Sequence, residues 1–125
     1  MSASSRGQSR RLLVACLCAA WCGSCREYRD TFRALAQRFA GAADFAWVDV
    51  EDEADSLGDL DIENFPTLLI ADGERTVFLG PVTPQAQTAE RLLRSAVAGE
   101  LATAATDHPD LPRQVRGLLV ERGAG

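Results

Sequence analysis

The spacing of apolar and polar positions changes several times along the chain, and each change marks an element. Residues 11–20 (RLLVACLCAA) are apolar and unbroken after the first, the pattern of a central strand covered on both faces. From Cys22 the period becomes helical. Tyr28, Phe32, Leu35 and Phe39 recur at spacings of four, three and four and so share one face, while Arg26, Arg29, Arg33 and Arg38 occupy much of the rest. The helix is expected to run to about Ala40, with Gly41 as its stop. Residues 44–50 (DFAWVDV) predict a second strand, and residues 54–60 a short helix that turns Leu57 and Leu60 inward. Residues 67–71 predict a third strand. Asp72-Gly73 is a hairpin signal, and residues 76–79 return as an antiparallel strand near an edge. Thr83-Pro84 predicts a helix start, with a capping hydroxyl and then proline at the first helical position. Ala89, Leu92, Leu93, Ala96 and Val97 form the apolar face of that helix, and Gly99 ends it. Leu111, Val115, Leu118 and Leu119 give a final helix with Pro112 in its first turn.

The predicted order is strand, helix, strand, helix, strand, strand, helix and one additional helix, without an internal repeat. At 125 residues this suits one domain over 11–99. It would be preceded by a disordered arm over 1–10 and followed by a linker and helix over 100–125. The terminal apolar stripe either docks on the sheet or binds a partner. Docking is the expectation, because that much exposed apolar surface is a liability.

Composition removes several function classes. The net charge of −5 argues against nucleic acid, whose phosphates require a basic face. There is no lysine, which excludes Schiff-base and lysine-base catalysis, and the only histidine, His108, stands before Pro109 in a polar stretch. Residues 51–63 are strongly acidic. They read as a solvated face, with an acidic patch that selects basic partners as the sharper alternative. No segment approaches the roughly 20 apolar residues of a membrane span. Leu13-Val14-Ala15-Cys16 matches a lipoprotein cleavage box, but only Leu12, Leu13 and Val14 separate Arg11 from Ala15, too few for a signal peptide. The expected compartment is the cytoplasm, where cysteine pairs are usually catalytic or metal-binding.

The chemistry lies in Trp21-Cys22-Gly23-Ser24-Cys25, between the first strand and the first helix. Two cysteines three apart at a helix start are close enough to bridge. The first stands where unpaired N–H groups and the helix dipole favour a thiolate, the reactive species. Cys16 and Cys18 lie two apart on the strand and face the same side of the sheet. They read as small buried hydrophobes. A second redox role, by exchange with the Cys22/Cys25 pair, is one alternative. A four-thiolate metal site made with Cys22 and Cys25 is another, although a rigid strand and a helix start converge poorly. A purely structural disulfide at Cys22 and Cys25 is disfavoured in a cytosolic chain.

With Phe65-Pro66-Thr67 opening the third strand and the hairpin ending at Gly80, this pattern resembles the thioredoxin-like superfamily over roughly residues 11–99. The resemblance implies an α/β fold with a central mixed four-stranded sheet flanked by helices, plus the extra C-terminal helix. It implies a thiol–disulfide oxidoreductase with Cys22 as nucleophile and Cys25 as resolving thiol, joined in the oxidised form as the redox-active disulfide, with no other cofactor and no metal. It implies a substrate surface of Trp21, Gly23, Ser24, Phe65, Pro66 and Thr67, with Pro66 as the family's cis-proline. The partners it implies are protein disulfides and an electron donor such as a reductase or glutathione, without nucleic acid or membrane, on a monomer. The chain departs from the family at several positions. Ser24 replaces the proline between the cysteines, Asp30 replaces a helix-kinking proline, and Cys16 and Trp47 stand where a buried carboxylate and its lysine are found. Those departures leave open a binding or adaptor domain with little turnover.

Overall fold

The computed structural model describes residues 11–19, 22–57, 62, 66–83, 85–104, 106 and 108–121. The expected arm over 1–10 therefore lies outside the described residues. The elements are β1 (Leu12–Cys18), α1 (Gly23–Arg38), β2 (Ala43–Asp49), α2 (Ala54–Leu57), β3 (Thr67–Asp72), β4 (Arg75–Pro81), α3 (Ala86–Val97) and α4 (Leu111–Glu121).

The unbroken apolar run becomes the central strand, and all of β1 is buried. The sheet order is β2-β1-β3-β4. β1 runs parallel to β2, which requires a crossover, and α1 supplies it. The β1–β3 and β3–β4 pairs are antiparallel. This is the mixed four-stranded sheet expected from the sequence. The hairpin turns at Gly73, whose φ of 67° lies in the left-handed region that glycine enters without strain.

Period-two alternation divides β1 between two cores. Leu12, Val14, Cys16 and Cys18 pack with Cys25, Tyr28, Phe32 and Leu35 of α1 and with Ala89, Leu93 and Ala96 of α3. Leu13, Ala15 and Leu17 face the other way, onto Leu57, Leu111, Val115 and Leu118. The terminal apolar stripe is thus docked on the sheet. Across the first face, Glu90 of α3 accepts from Arg94 at 2.6 Å and from Arg38 of α1 at 3.0 Å. The Arg94 hydrogen bond, aided by Arg38, holds the Glu90 carboxyl below its usual range.

Two arginines tie the strand ends. Arg11 donates to the carbonyls of Ala40, Gly41 and Ala43, where α1 leads into β2. Arg116 of α4 donates to the carbonyls of Arg11 at 3.1 Å and Gly73 at 3.3 Å. Arg116→Ala removes both bonds from a half-buried site. It should lower the unfolding free energy by about 1–2 kcal/mol and speed amide exchange in α4. Urea titration with hydrogen exchange checks this. An unchanged midpoint would show that apolar contact alone docks the helix.

One boundary differs from expectation. α3 begins at Ala86 with Gln85 at the N-cap and no side-chain cap, so Thr83 does not cap it. The Thr83 hydroxyl instead bonds that of Thr88 at 2.7 Å. Pro84 and Leu60 lie outside the described residues.

Candidate functional site

β1 ends at Cys18 and α1 starts at Gly23, so the connection delivers Cys22 to the N-cap (φ −85°, ψ 120°). Its N–H donates to the Ala19 carbonyl at 3.0 Å and its carbonyl accepts from Arg26 at 3.3 Å, which fixes the backbone there. The Cys22 side chain makes no capping hydrogen bond to the first turn, and that turn carries no acidic residue. The first-turn amides and the positive end of the dipole are therefore not neutralised by the helix's own side chains. Cys22 is a free, half-buried thiol, and Gly23 and Ser24 beside it are exposed.

Cys25 is the third residue of α1, one turn below Cys22, and faces the sheet with 1% of its surface exposed. In this structure Cys25 is joined to Cys18, whereas the pairing that the resemblance implies is with Cys22. The reason lies in the alternation along β1. Cys18 is the last residue of that strand on the helix-facing side, directly under the first turn of α1. The Cα–Cα separation is 5.9 Å, within the span of an ordinary disulfide. The sulfur of Cys16 lies 3.4 Å from that of Cys18. Cys18 in a disulfide carries no hydrogen, so the Cys16 S–H is the donor. Burial pushes the Cys16 thiol up to about 12. Burial, followed by the neighbouring Cys16, pushes the Tyr28 phenol up to about 12 as well. The Tyr28 hydroxyl is buried with no hydrogen-bond partner among the described residues.

Cys16 and Cys18 are buried as expected, and Cys18 is in addition bonded to Cys25, so three sulfurs gather under α1 and Cys22 stands at its tip. No group of three or more His, Cys, Asp or Glu side chains among the described residues is arranged to hold a metal. With Cys18 and Cys25 bonded to each other, two of the four sulfurs required by the metal alternative are not thiolates.

Cys16 pairs with Trp47 in the parallel register, so the two substituted positions are indeed neighbours. Two residues further on, Cys18 pairs with Asp49. Asp49, Asp52 and Glu53 line a groove of about 590 Å³ together with Cys25, Arg26, Arg29 and Trp47. The Arg29 guanidinium lies 5.3 Å over the Trp47 ring. Sequence reasoning left unidentified the carboxylate that shares a wall with Cys25. The available signal was the parallel register, which carries the acidic end of β2 to the cysteine end of β1. Asp49 is itself fixed by the N–H groups of Glu51 at 2.9 Å and Asp52 at 3.1 Å.

On the other side of β1, Thr67 opens β3 opposite Leu17. Pro66 is buried just before it, and its carbonyl accepts from Val82 at 3.1 Å. The antiparallel register thus brings Pro66 and Thr67 to the cysteine end of β1. Trp21 and Phe65 lie outside the described residues, and with Phe65 goes the bond whose cis form the resemblance implies.

The thioredoxin family model matches residues 5–93, more than half of the chain. The chain belongs to the thioredoxin family. No curated protein sequence matches this thioredoxin-family chain. Among solved structures, it is similar to the germline-specific thioredoxin Deadhead of Drosophila melanogaster at 18% identity and TM-score 0.62, covering 75% of this chain and 90% of that one. It is similar to Fasciola hepatica thioredoxin at 23% identity and TM-score 0.57, covering 79% and 90%. It is also similar to oxidised thioredoxin from Plasmodium falciparum at 17% identity and TM-score 0.60, covering 77% and 90%. At these identities the likenesses carry the fold alone. Thioredoxin family membership is consistent with thiol–disulfide redox chemistry at the cysteine-rich site. Among the described residues no helix is long and apolar enough to cross a membrane.

Proposed function

We propose that this thioredoxin-family chain is a thiol–disulfide oxidoreductase that reduces protein disulfides, with Cys22 as nucleophile and Cys25 as resolving thiol. The observation that carries this reading is the free Cys22 thiol at an uncapped helix N-terminus, with Cys25 one turn below it. A substrate disulfide docks against Gly23, Ser24, Pro66 and Thr67, and against Trp21 and Phe65 in the matching family positions. The Cys22 thiolate attacks one substrate sulfur and the other leaves as a thiolate. The Cys25 thiolate then attacks the Cys22 sulfur and releases the second substrate thiolate. Two electrons pass to the substrate, and Cys22 and Cys25 are left joined. The proton lost by Cys25 passes through groove water to Asp49, Asp52 or Glu53, in place of the family's buried acid. A reductase or glutathione restores the dithiol. The protein works as a monomer in the cytoplasm, without nucleic acid or membrane.

A second reading has its own support. While Cys25 is held by Cys18, Cys22 captures a partner sulfur but has no resolver, which suits a binding or adaptor domain with little turnover.

The Cys25→Ser variant tests the first reading. Incubated with insulin, it should accumulate a mixed disulfide at Cys22 to a level about tenfold above wild type, because attack is intact and release is not. Adducts on Cys16 or Cys18, found by mass spectrometry of the folded variant, would overturn the assignment.

A further inference from the structure

We propose that the disulfide of this protein migrates inward after turnover, with Cys25 exchanging its bond to Cys22 for a bond to Cys18. This rests on the Cys22/Cys25 reading above and extends it by one step. The observed state is the product of that step: Cys18 and Cys25 are joined, and Cys22 is a thiol again.

The step is an isomerisation and needs no oxidant. The Cys18 thiolate attacks the Cys25 sulfur, the Cys18–Cys25 bond forms, the Cys22–Cys25 bond breaks, and Cys22 leaves as a thiolate. No electron is gained or lost, and the proton given up by Cys18 is matched by the one Cys22 takes up from water. Three features favour this direction. Cys22 leaves from the N-terminus of α1, where the helix dipole stabilises an anion. Cys18 and Cys25 are each 1% exposed, and a disulfide is an uncharged group that suits such a site. The Cys16 sulfur, 3.4 Å from that of Cys18, supplies an S–H that steadies the Cys18 anion as it forms. Cys16 remains protonated, since burial pushes it up to about 12, so it acts as a positioning residue and not as a reactant.

The consequence is a sheltered oxidised form. Glutathione or dithiothreitol reaches sulfurs at 1% exposure only slowly. The faster reduction returns through Cys22, whose thiolate attacks Cys25 and draws the bond back to the surface. Cys22 is then the gate to the buried bond in both directions.

Disulfide mapping of the full chain tests this. The reduced protein is oxidised with a stoichiometric amount of diamide and sampled over time. Free thiols are blocked with N-ethylmaleimide in guanidinium at mildly acidic pH, and the chain is cut with chymotrypsin. Cleavage after Trp21 places Cys16 and Cys18 on one peptide and Cys22 and Cys25 on another. The expected result is an early Cys22–Cys25 species that decays into peptides linked across the Trp21 cut, with maleimide on Cys22 and Cys16. Persistence of Cys22–Cys25 as the final product overturns the proposal. Cys22→Ser provides the second measurement. Its Cys18–Cys25 bond should form, and be reduced by dithiothreitol, at least about tenfold more slowly than in wild type. Equal rates overturn the gating role. The two proposals fail separately. Cys22-dependent insulin reduction with a final Cys22–Cys25 bond removes the migration and keeps the oxidoreductase. Insulin reduction indifferent to Cys22→Ser removes both.

Discussion

Cys22→Ser should lose catalysed reduction of insulin by dithiothreitol down to the uncatalysed blank, a drop on the order of a thousandfold in catalytic rate. The size follows from how few sulfurs can serve as nucleophile. Cys16 is fully buried and its thiol is pushed up to about 12, so at neutral pH it is neither accessible nor ionised. Cys18 and Cys25 are bonded to each other and nearly as deep. Cys22 alone combines a free thiol, partial exposure and a helix N-terminus without acidic side chains. Serine retains the size and the N-cap preference of the position but not the nucleophile, so folding should be preserved or slightly improved. Cys16→Ala is the counterpart. It touches the interior and should shift stability more than turnover. Turbidity kinetics read the activity of both variants, with circular dichroism to confirm folding. If Cys22→Ser kept more than about a tenth of the wild-type rate, another sulfur would be the nucleophile.

Most of the fold was legible because the decisive signals were local. The unbroken apolar run of β1 has no polar face, and its shortness suits a strand covered on both sides. The spacing of Tyr28, Phe32 and Leu35 fixed the buried side of α1 before any contact was known. Gly73 marked its turn because few residues tolerate a positive φ. Thr83 misled for an equally local reason: a hydroxyl followed by proline satisfies the sequence rule for a helix cap, yet its hydrogen bond went to Thr88 and the helix began later. The sulfur pairing was of another kind. Cys22 and Cys25 are neighbours along the chain, so their spacing suggests a bridge. Cys18 reaches Cys25 only because α1 crosses back over the end of β1. The alternation along β1 placed Cys16 and Cys18 on one face of the sheet, and period-two logic goes no further. That Cys18 lies under the first turn of the helix depends on the angle at which the helix returns. The same holds for Asp49, whose place beside Cys18 depends on the parallel register of two strands separated by the whole of α1.

Alkaline pH should destabilise this protein, with an expected loss of about 3 kcal/mol between pH 8 and pH 11. The sign follows from proton counts. Below pH 9 the Cys16 thiol is protonated in both the folded and the unfolded chain, and it contributes no pH dependence. Above its ordinary value of 9.0 the unfolded chain releases that proton, while the folded chain holds it until about 12. The folded state then binds more protons, and stability falls as pH rises across that window. Tyr28 adds to the fall from its ordinary value of 10.0 up to about 12, for the same reason of burial and then through the neighbouring Cys16. The composition makes the measurement clean. There is no lysine and only one tyrosine, so few other groups titrate in this range. Anaerobic urea titrations from pH 8 to 11 should show the midpoint falling steadily. In Cys16→Ala the fall should shrink by more than half, even though the variant begins less stable at pH 8 because of the small void. Tyr28→Phe should flatten the upper part of the curve and gain stability at neutral pH, because it removes a buried hydroxyl with no partner among the described residues. A Cys16→Ala curve parallel to wild type would mean that the thiol ionises within the folded protein, and the core beneath α1 would then be open to water.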